Sequence, residues 1–262
     1  MGWSDFLHLL PLPTRKEGGH ASPLSVAGRG GVPPEEENLV LRLLRLLEER
    51  EGRSFPVRLI LEKHLPPAAG LGGGSSDAAG ALLGLSRMFG LPLSPEEARE
   101  ILARVGSDVP FFWSGGTALA RGRGEILEPL PTPRWTAVIA WPRAALSTSA
   151  VYRELDRRRG ASHTGPSWTE EALRALRLGP EALARSGNDL EETALSLCPS
   201  IGELKEALLE AGAPFALLSG SGPAVFSAVR EPAEALALAR RVRLAGFPCQ
   251  VAPFISRGVE MV

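Results

Sequence analysis

The sequence predicts an α+β fold, and three patterns carry that expectation. In the second half, Phe215 to Ser219 and Ala224 to Val229 read as strands on either side of the turn Gly220-Ser221-Gly222-Pro223. A helix from about Ala233 to Ala245 and a strand near Gln250 to Phe254 follow, an order that builds an antiparallel sheet covered by helices. In the first half, Val57, Leu59 and Leu61 alternate with Arg58 and Glu62, the period of a half-buried strand. Over 262 residues the hydrophobic content is 44%, enough for the cores of one large domain or two of ordinary size.

Each remaining element has a local reason. A helix over Glu35 to Glu49 places Leu39, Leu43, Leu46 and Leu47 on one face. Beyond the strand and a Gly-rich loop, Ala78, Ala79, Leu82, Leu83 and Leu85 keep helical spacing until Gly90 stops it. Ser94-Pro95-Glu96-Glu97 is a capping box with Pro at the first helical position, and its helix ends near Val105. Gly116 to Ala120 and Thr136 to Trp141 read as strands, separated by Arg121-Gly122-Arg123-Gly124 and by Pro129, Pro131 and Pro133. The proline-rich stretch is the expected boundary between domains spanning 1–133 and 134–262. A helix is expected around Ala150 to Arg157, then a polar loop to Pro166. Ser167 with Glu170, and Ser200 with Glu203, read as two further capping boxes. No internal repeat is present.

Composition narrows the partners. A formal net charge of -1 with no basic block argues against a nucleic-acid backbone and gives no polybasic membrane signal. Cys198 and Cys249 stand far apart without metal-ligand spacing, which argues against a disulfide scaffold or a zinc site and fits a reducing cytoplasm. The first nineteen residues hold a short apolar run without a basic lead-in, and no stretch reaches membrane-spanning length. A small-molecule ligand is the expectation.

The stretch Pro66 to Ala79, PPAAGLGGGSSDAA, has the composition of an anion cradle. Glycines reach positive φ and bring backbone N–H groups close to a ligand, while a helix N-terminus adds donors and the positive end of its dipole. The loop joins a strand to a helix, which raises it above a flexible surface turn. No Lys follows the glycines, so it is not a Walker A loop, and no parallel βαβ unit with a ribose-binding acid supports a dinucleotide fingerprint. Asp108, between Gly106-Ser107 and Val109-Pro110 and ahead of Phe111, Phe112 and Trp113, is the first candidate for chemistry. A carboxylate beside a desolvated wall orients a hydroxyl, accepts its proton or holds Mg²⁺. The bland alternative is a turn-forming aspartate. Asp77 is expected to complement the helix dipole from the first turn.

These residues resemble the GHMP small-molecule kinases. Pro66 to Ala79 resembles their motif 2, and the run GLGGGSSDAA is similar to the branch acting on 4-diphosphocytidyl-2-C-methyl-D-erythritol. Gly106 to Phe112 resembles the catalytic-aspartate segment, and Gly124-Glu125 with Pro129-Leu130 the segment after it. Asn188-Asp189-Leu190-Glu191 resembles the C-terminal Asn motif, and Leu218 to Pro223 the Gly-rich motif 3. The resemblance covers roughly Asn38 to the C-terminus. It implies a two-domain fold, with an N-terminal ribosomal protein S5 domain 2-like half whose sheet is shortened and a C-terminal ferredoxin-like α/β sandwich. It implies ATP-dependent phosphorylation of the 2-hydroxyl of that cytidine-diphosphate substrate in non-mevalonate isoprenoid precursor biosynthesis, by a monomer or homodimer. Pro66, Pro67, Ala68, Ala69, Gly70, Leu71, Gly72, Gly73, Gly74, Ser75 and Ser76 would wrap the ATP phosphates, with Gly220, Ser221 and Gly222 closing over them. Asp108 would be the general base, Ser76 and Asp108 would hold Mg²⁺, and His20 and Tyr152 would contact cytosine.

The N-terminus departs from the pattern. Phe6-Leu7-His8 and Gly18-Gly19-His20 align with segments that in the family carry a phosphate-contacting Lys and a cytosine-holding aromatic; here Gly2 and Gly19 stand at those places. Loss of such a cation costs about 2.7–4 kcal/mol, the scale of one oxyanion donor. Either residues ahead of Met1 supply it, or another cation compensates; Lys16 and Lys63 are candidates whose default is a solvated surface position. The alternatives to the implied activity are another GHMP kinase and a catalytically silent nucleotide-binding protein.

Overall fold

The computed structural model describes residues 3–13, 23–28, 37–159 and 168–262, arranged as two units. The first comprises Trp3–Pro67, Gly72–Thr132 and Ile255–Val262; the second comprises Pro133–Phe254 together with Ala68–Leu71.

In the first unit, β1 (Phe6–Pro11) and β2 (Leu24–Gly28) flank β3 (Val57–Lys63) in a three-stranded sheet. β1 runs antiparallel to β3, pairing Phe6 with Glu62, and β2 runs parallel to it, pairing Leu24 with Leu59. Between β2 and β3 lies α1 (Leu39–Glu51), which starts later than the sequence suggests. The reason is Asn38, whose Oδ1 accepts hydrogen bonds from Val40 N at 2.9 Å and Leu41 N at 3.4 Å and so satisfies two orphan helix donors. After β3 come α2 (Gly73–Phe89), α3 (Pro95–Val105) and α4 (Val109–Ser114). The expected capping box on α3 is present: Ser94 Oγ accepts from Glu97 N at 3.2 Å while Glu97 Oε2 accepts from Ser94 N at 2.8 Å. Leu43, Leu47, Leu59, Ala78, Leu82, Leu85 and Leu102 meet in one core, all removed from solvent.

Downstream, β4 (Thr117–Arg121) and β5 (Ile126–Leu130) form an antiparallel hairpin. The proline-rich stretch was expected to be irregular, yet Pro129 sits within β5. A two-stranded hairpin leaves one edge of each strand unpaired, where a missing N–H costs nothing.

The second unit is built on an antiparallel sheet, as the sequence pattern anticipates; it has four strands in the order β7-β8-β6-β9. Its elements are β6 (Thr136–Ala140), α5 (Thr148–Arg159), α6 (Trp168–Leu178), α7 (Glu191–Leu197), α8 (Ser200–Glu210), β7 (Leu217–Leu218), β8 (Val225–Val229), α9 (Pro232–Leu244) and β9 (Cys249–Pro253). Val138, Ile201, Leu204, Leu208, Val225 and Leu238 form its core. Two expectations fail here. Ser200 does not cap α8: it is the first helical residue, Pro199 holds the cap position, and no side chain bonds the helix end. The strand read from Phe215 to Ser219 is only two residues long, because Ser219 already enters the turn, its N–H donating to the Ala224 carbonyl at 2.9 Å. The capping role assigned to Ser167 lies outside the described residues.

Candidate active site

The Gly-rich loop leaves β3 and enters α2 through a run of left-handed backbone: Ala68 at φ 51°, Gly70 at 73° and Gly72 at 68°. Gly72 is the N-cap of α2, and no side chain satisfies the helix end, so the first-turn amides face outward with the dipole behind them. Side chains are excluded by contact as well as by φ. A Cβ on Gly72 would stand 2.2 Å from Phe112 Cζ, and one on Gly70 would stand 2.2 Å from the Ser219 carbonyl oxygen. Gly74 is exposed, and Ser76 Oγ donates to the Gly73 carbonyl at 2.8 Å, which leaves the Ser76 oxygen lone pairs free for a cation. Gly73 and Ser75 are half-buried beside it.

Within the second unit, Ala68–Leu71 packs with the segment between β7 and β8. Ala224 N donates to the Ala69 carbonyl at 3.1 Å and Ser219 Oγ to the Gly70 carbonyl at 2.9 Å. Gly220, Ser221 and Gly222 thus stand beside residues 69 and 70. Their shape is imposed by Asn188, whose Nδ2 donates to the carbonyls of Leu218 at 3.0 Å and Gly220 at 2.7 Å while its Oδ1 accepts from Leu190 N. Glu191 accepts from Leu218 N at 3.3 Å and is ion-paired with Lys205. Sequence reading marks Asn188-Asp189 as a motif without giving it this work; the signal was an Asn ahead of a helix, able to bond its own backbone two residues on. Ser221 is buried, and its Oγ is 2.8 Å from Thr148 Oγ1 at the start of α5. Tyr152 lies one turn along α5 from Thr148 with 51% of its surface exposed, so it is available to stack and is not a core residue. His20 lies outside the described residues, as does Lys16.

Asp108 sits at the junction of α3 and α4, and its surroundings differ from expectation. Asp108 is exposed; of the residues after it α4 buries Val109 and Pro110, while Phe112 and Trp113 are half-buried against the core of the first unit. Ser107 Oγ lies 3.4 Å from Asp108 Oδ1, and Gly124 passes close enough that a Cβ there would stand 3.4 Å from the same oxygen.

Two other assignments are corrected. Lys63 is not a solvated surface residue: it is 8% exposed and bonded to two carboxylates, Asp5 and, at 2.7 Å, Asp77. Asp77 is not in the first turn of α2, where it was expected to complement the dipole. The helix begins at Gly73, which puts Asp77 in the second turn with its side chain facing inward. Burial, partly offset by Lys63, pushes its pKa up to about 6.

The GHMP kinases N terminal domain family matches residues 38–116, which span α1, the Gly-rich loop and Asp108, and the GHMP kinases C terminal family matches residues 169–247. The chain belongs to the GHMP kinases. As a GHMP kinase it is an ATP-dependent small-molecule kinase of two-domain α+β fold, and several curated relatives share most of its length. One is the 4-diphosphocytidyl-2-C-methyl-D-erythritol kinase of a Synechococcus species, 43% identical over 83% of this chain and 72% of the relative. Another, from Moorella thermoacetica, bears the same name and is 44% identical over 81% of this chain and 75% of its own. Among solved structures, a 4-(cytidine 5'-diphospho)-2C-methyl-D-erythritol kinase superposes with a TM-score of 0.73 at 33% identity, covering 95% of this GHMP kinase and 85% of that chain. A homoserine kinase from Cytophaga hutchinsonii superposes at 0.70 with 18% identity, covering 97% and 85%, which is a likeness of fold alone. Among the described residues no helix is long and apolar enough to cross a membrane, and no group of three or more His, Cys, Asp or Glu could enclose a metal ion.

Proposed function

We propose that this kinase phosphorylates the 2-hydroxyl of 4-diphosphocytidyl-2-C-methyl-D-erythritol, a step in non-mevalonate isoprenoid precursor biosynthesis. The observation that carries the proposal is the identity above 40% with kinases of that name over most of both chains. In this reading residues 1–133 form the ATP-binding domain and 134–262 the C-terminal domain, and the enzyme works in the cytoplasm.

The loop from Pro66 to Ser76 wraps the phosphates of the donor, its N–H donors coming from the non-proline residues 68–75, with the uncapped end of α2 aligning its dipole on the charge that moves to the leaving group. Gly220, Ser221 and Gly222, held by Asn188, close over the Ala69–Gly70 part of the cradle. Asp108 orients the substrate hydroxyl and takes its proton as the new O–P bond forms. An exposed aspartate is a weak base toward an alcohol, so alignment and charge stabilisation supply most of the rate. Tyr152 stacks on the cytosine, and His20 is its second contact.

Mg²⁺ fits the donor set: Ser76 Oγ and the Asp108 carboxylate are hard oxygens, and an ion of this kind takes its other ligands from phosphate and water. When bound, the ion supplies neutralisation of phosphate charge.

The test is turnover of the purified chain with ATP and Mg²⁺ against the cytidine substrate, homoserine and mevalonate, with the product followed by mass spectrometry. Phosphorylation of the cytidine substrate alone supports the assignment. Turnover of another alcohol reassigns the enzyme within the family, and ATP binding without transfer to any of them returns a silent nucleotide-binding protein.

A further inference from the structure

The mechanism leaves unused a cluster of three charges beneath the Gly-rich loop. Lys63 closes β3, Asp77 lies in the second turn of α2, and Asp5 precedes β1; side-chain exposures are 9%, 6% and 3% for Lys63, Asp77 and Asp5. Lys63 Nζ bridges Asp5 Oδ2 and Asp77 Oδ2, while Asp5 Oδ1 accepts from the backbone N–H groups of His64 at 2.6 Å and Leu65 at 2.8 Å. The bonded residues bracket the loop on both sides. Residues 63–65 are its entry and residue 77 lies just past its exit. A Cβ on Gly73, the first residue of α2, would stand 3.2 Å from Lys63 Nζ, so the ammonium lies directly under the first turn of the helix.

We propose that Asp5, Lys63 and Asp77 form a clasp that holds the two ends of the phosphate-binding loop, with Lys63 as the positioning residue for nucleotide binding. This rests on the reading of the loop as the ATP cradle. Two carboxylates under an anion site oppose phosphate binding unless a cation stands between them, and the clasp places one there. Burying a lysine and two aspartates is costly, and a single partner removed leaves an uncompensated charge. A fixed loop is what that cost maintains. The clasp also gives the segment before β1 a task in the first unit: Asp5 anchors the loop entry.

The test uses the full chain. Asp77→Asn keeps an oxygen that accepts from Lys63, whereas Asp77→Leu does not. Asp77→Leu is expected to raise the Kd for ATP roughly tenfold or more and to accelerate amide exchange at Gly72 to Ser76, leaving the α1 amides of Leu43 and Leu47 protected. Asp77→Asn is expected to hold the ATP Kd within about threefold of the unsubstituted chain. If Asp77→Leu does not fold, Asp5→Ala serves: it releases His64 and Leu65 and leaves the Lys63–Asp77 pair intact, with the same loss of ATP affinity expected. A folded Asp77→Leu or Asp5→Ala protein that binds ATP with unchanged Kd overturns the clasp. Failure of ATP to protect Gly72 to Ser76 in the unsubstituted chain would instead overturn the cradle on which it rests.

Discussion

Asp77 makes the stability of the first unit depend on pH in an unusual direction. Its carboxyl titrates near 6 because burial disfavours the charged form, against about 4 in an unfolded chain. Between those values the folded state holds a proton that the unfolded state has lost. Stability from this group is therefore fully present below pH 4 and declines as pH rises to 6, by up to about 3 kcal/mol. Urea unfolding from pH 4 to 6 is expected to show that decline on top of the opposite trend of ordinary acids, and Asp77→Asn to remove it; equal slopes for the two proteins would contradict it. Asp108 is a separate case. Asp108→Ala is expected to lower kcat by about 10²- to 10⁴-fold, and full activity in that variant would remove it as the base. Both residues stood out in the sequence, but their surroundings did not. The inward turn of Asp77 depends on which glycine opens α2, and the exposure of Asp108 on how α4 coils.

Among the elements, those fixed by local chemistry were legible. The Ser94 and Glu97 box, the Gly90 stop and the alternation in β3 all act within a few residues, and the structure contains each of them. Elements set by long-range pairing were not: β5 contains Pro129 and exists through its register with β4, and β7 is cut short by the turn that receives Ala224. The Gly-rich loop belongs to both kinds. Its glycines were plain in the sequence, but which of them are irreplaceable depends on neighbours far along the chain. Gly72, at positive φ and against Phe112, is expected to lose about 1–2 kcal/mol from backbone strain alone on substitution by Ala, and more from displacing the ring. Gly74, whose nearest neighbour is Leu39 Cδ1 at 4.0 Å, is expected to accept Ala with unchanged or higher stability. Thermal unfolding of the two variants checks this contrast, and equal losses would sink it.

The whole molecule interleaves its two units along the chain. Ala68–Leu71 lies within the first half of the sequence yet belongs to the second unit, and Ile255–Val262 returns to the first, where Val259 N bonds the Phe112 carbonyl at 3.0 Å. The proline-rich stretch marks one change of unit, but composition gave no sign of the other crossings, whose partners lie far along the chain. A fragment of residues 133–254 is expected to lack the partners of Ser219 and Ala224 and to unfold at lower denaturant than the same unit in the full chain. Coincident transitions would show that residues 68–71 add nothing to it. The interleaving also bears on synthesis. A ribosome makes the loop residues of the second unit before any of its strands, and closes the α4 end of the first unit only after Pro133–Phe254 has been translated. The second unit therefore has all its described residues once Phe254 is made, whereas the first unit, begun earlier, receives its last segment only afterwards.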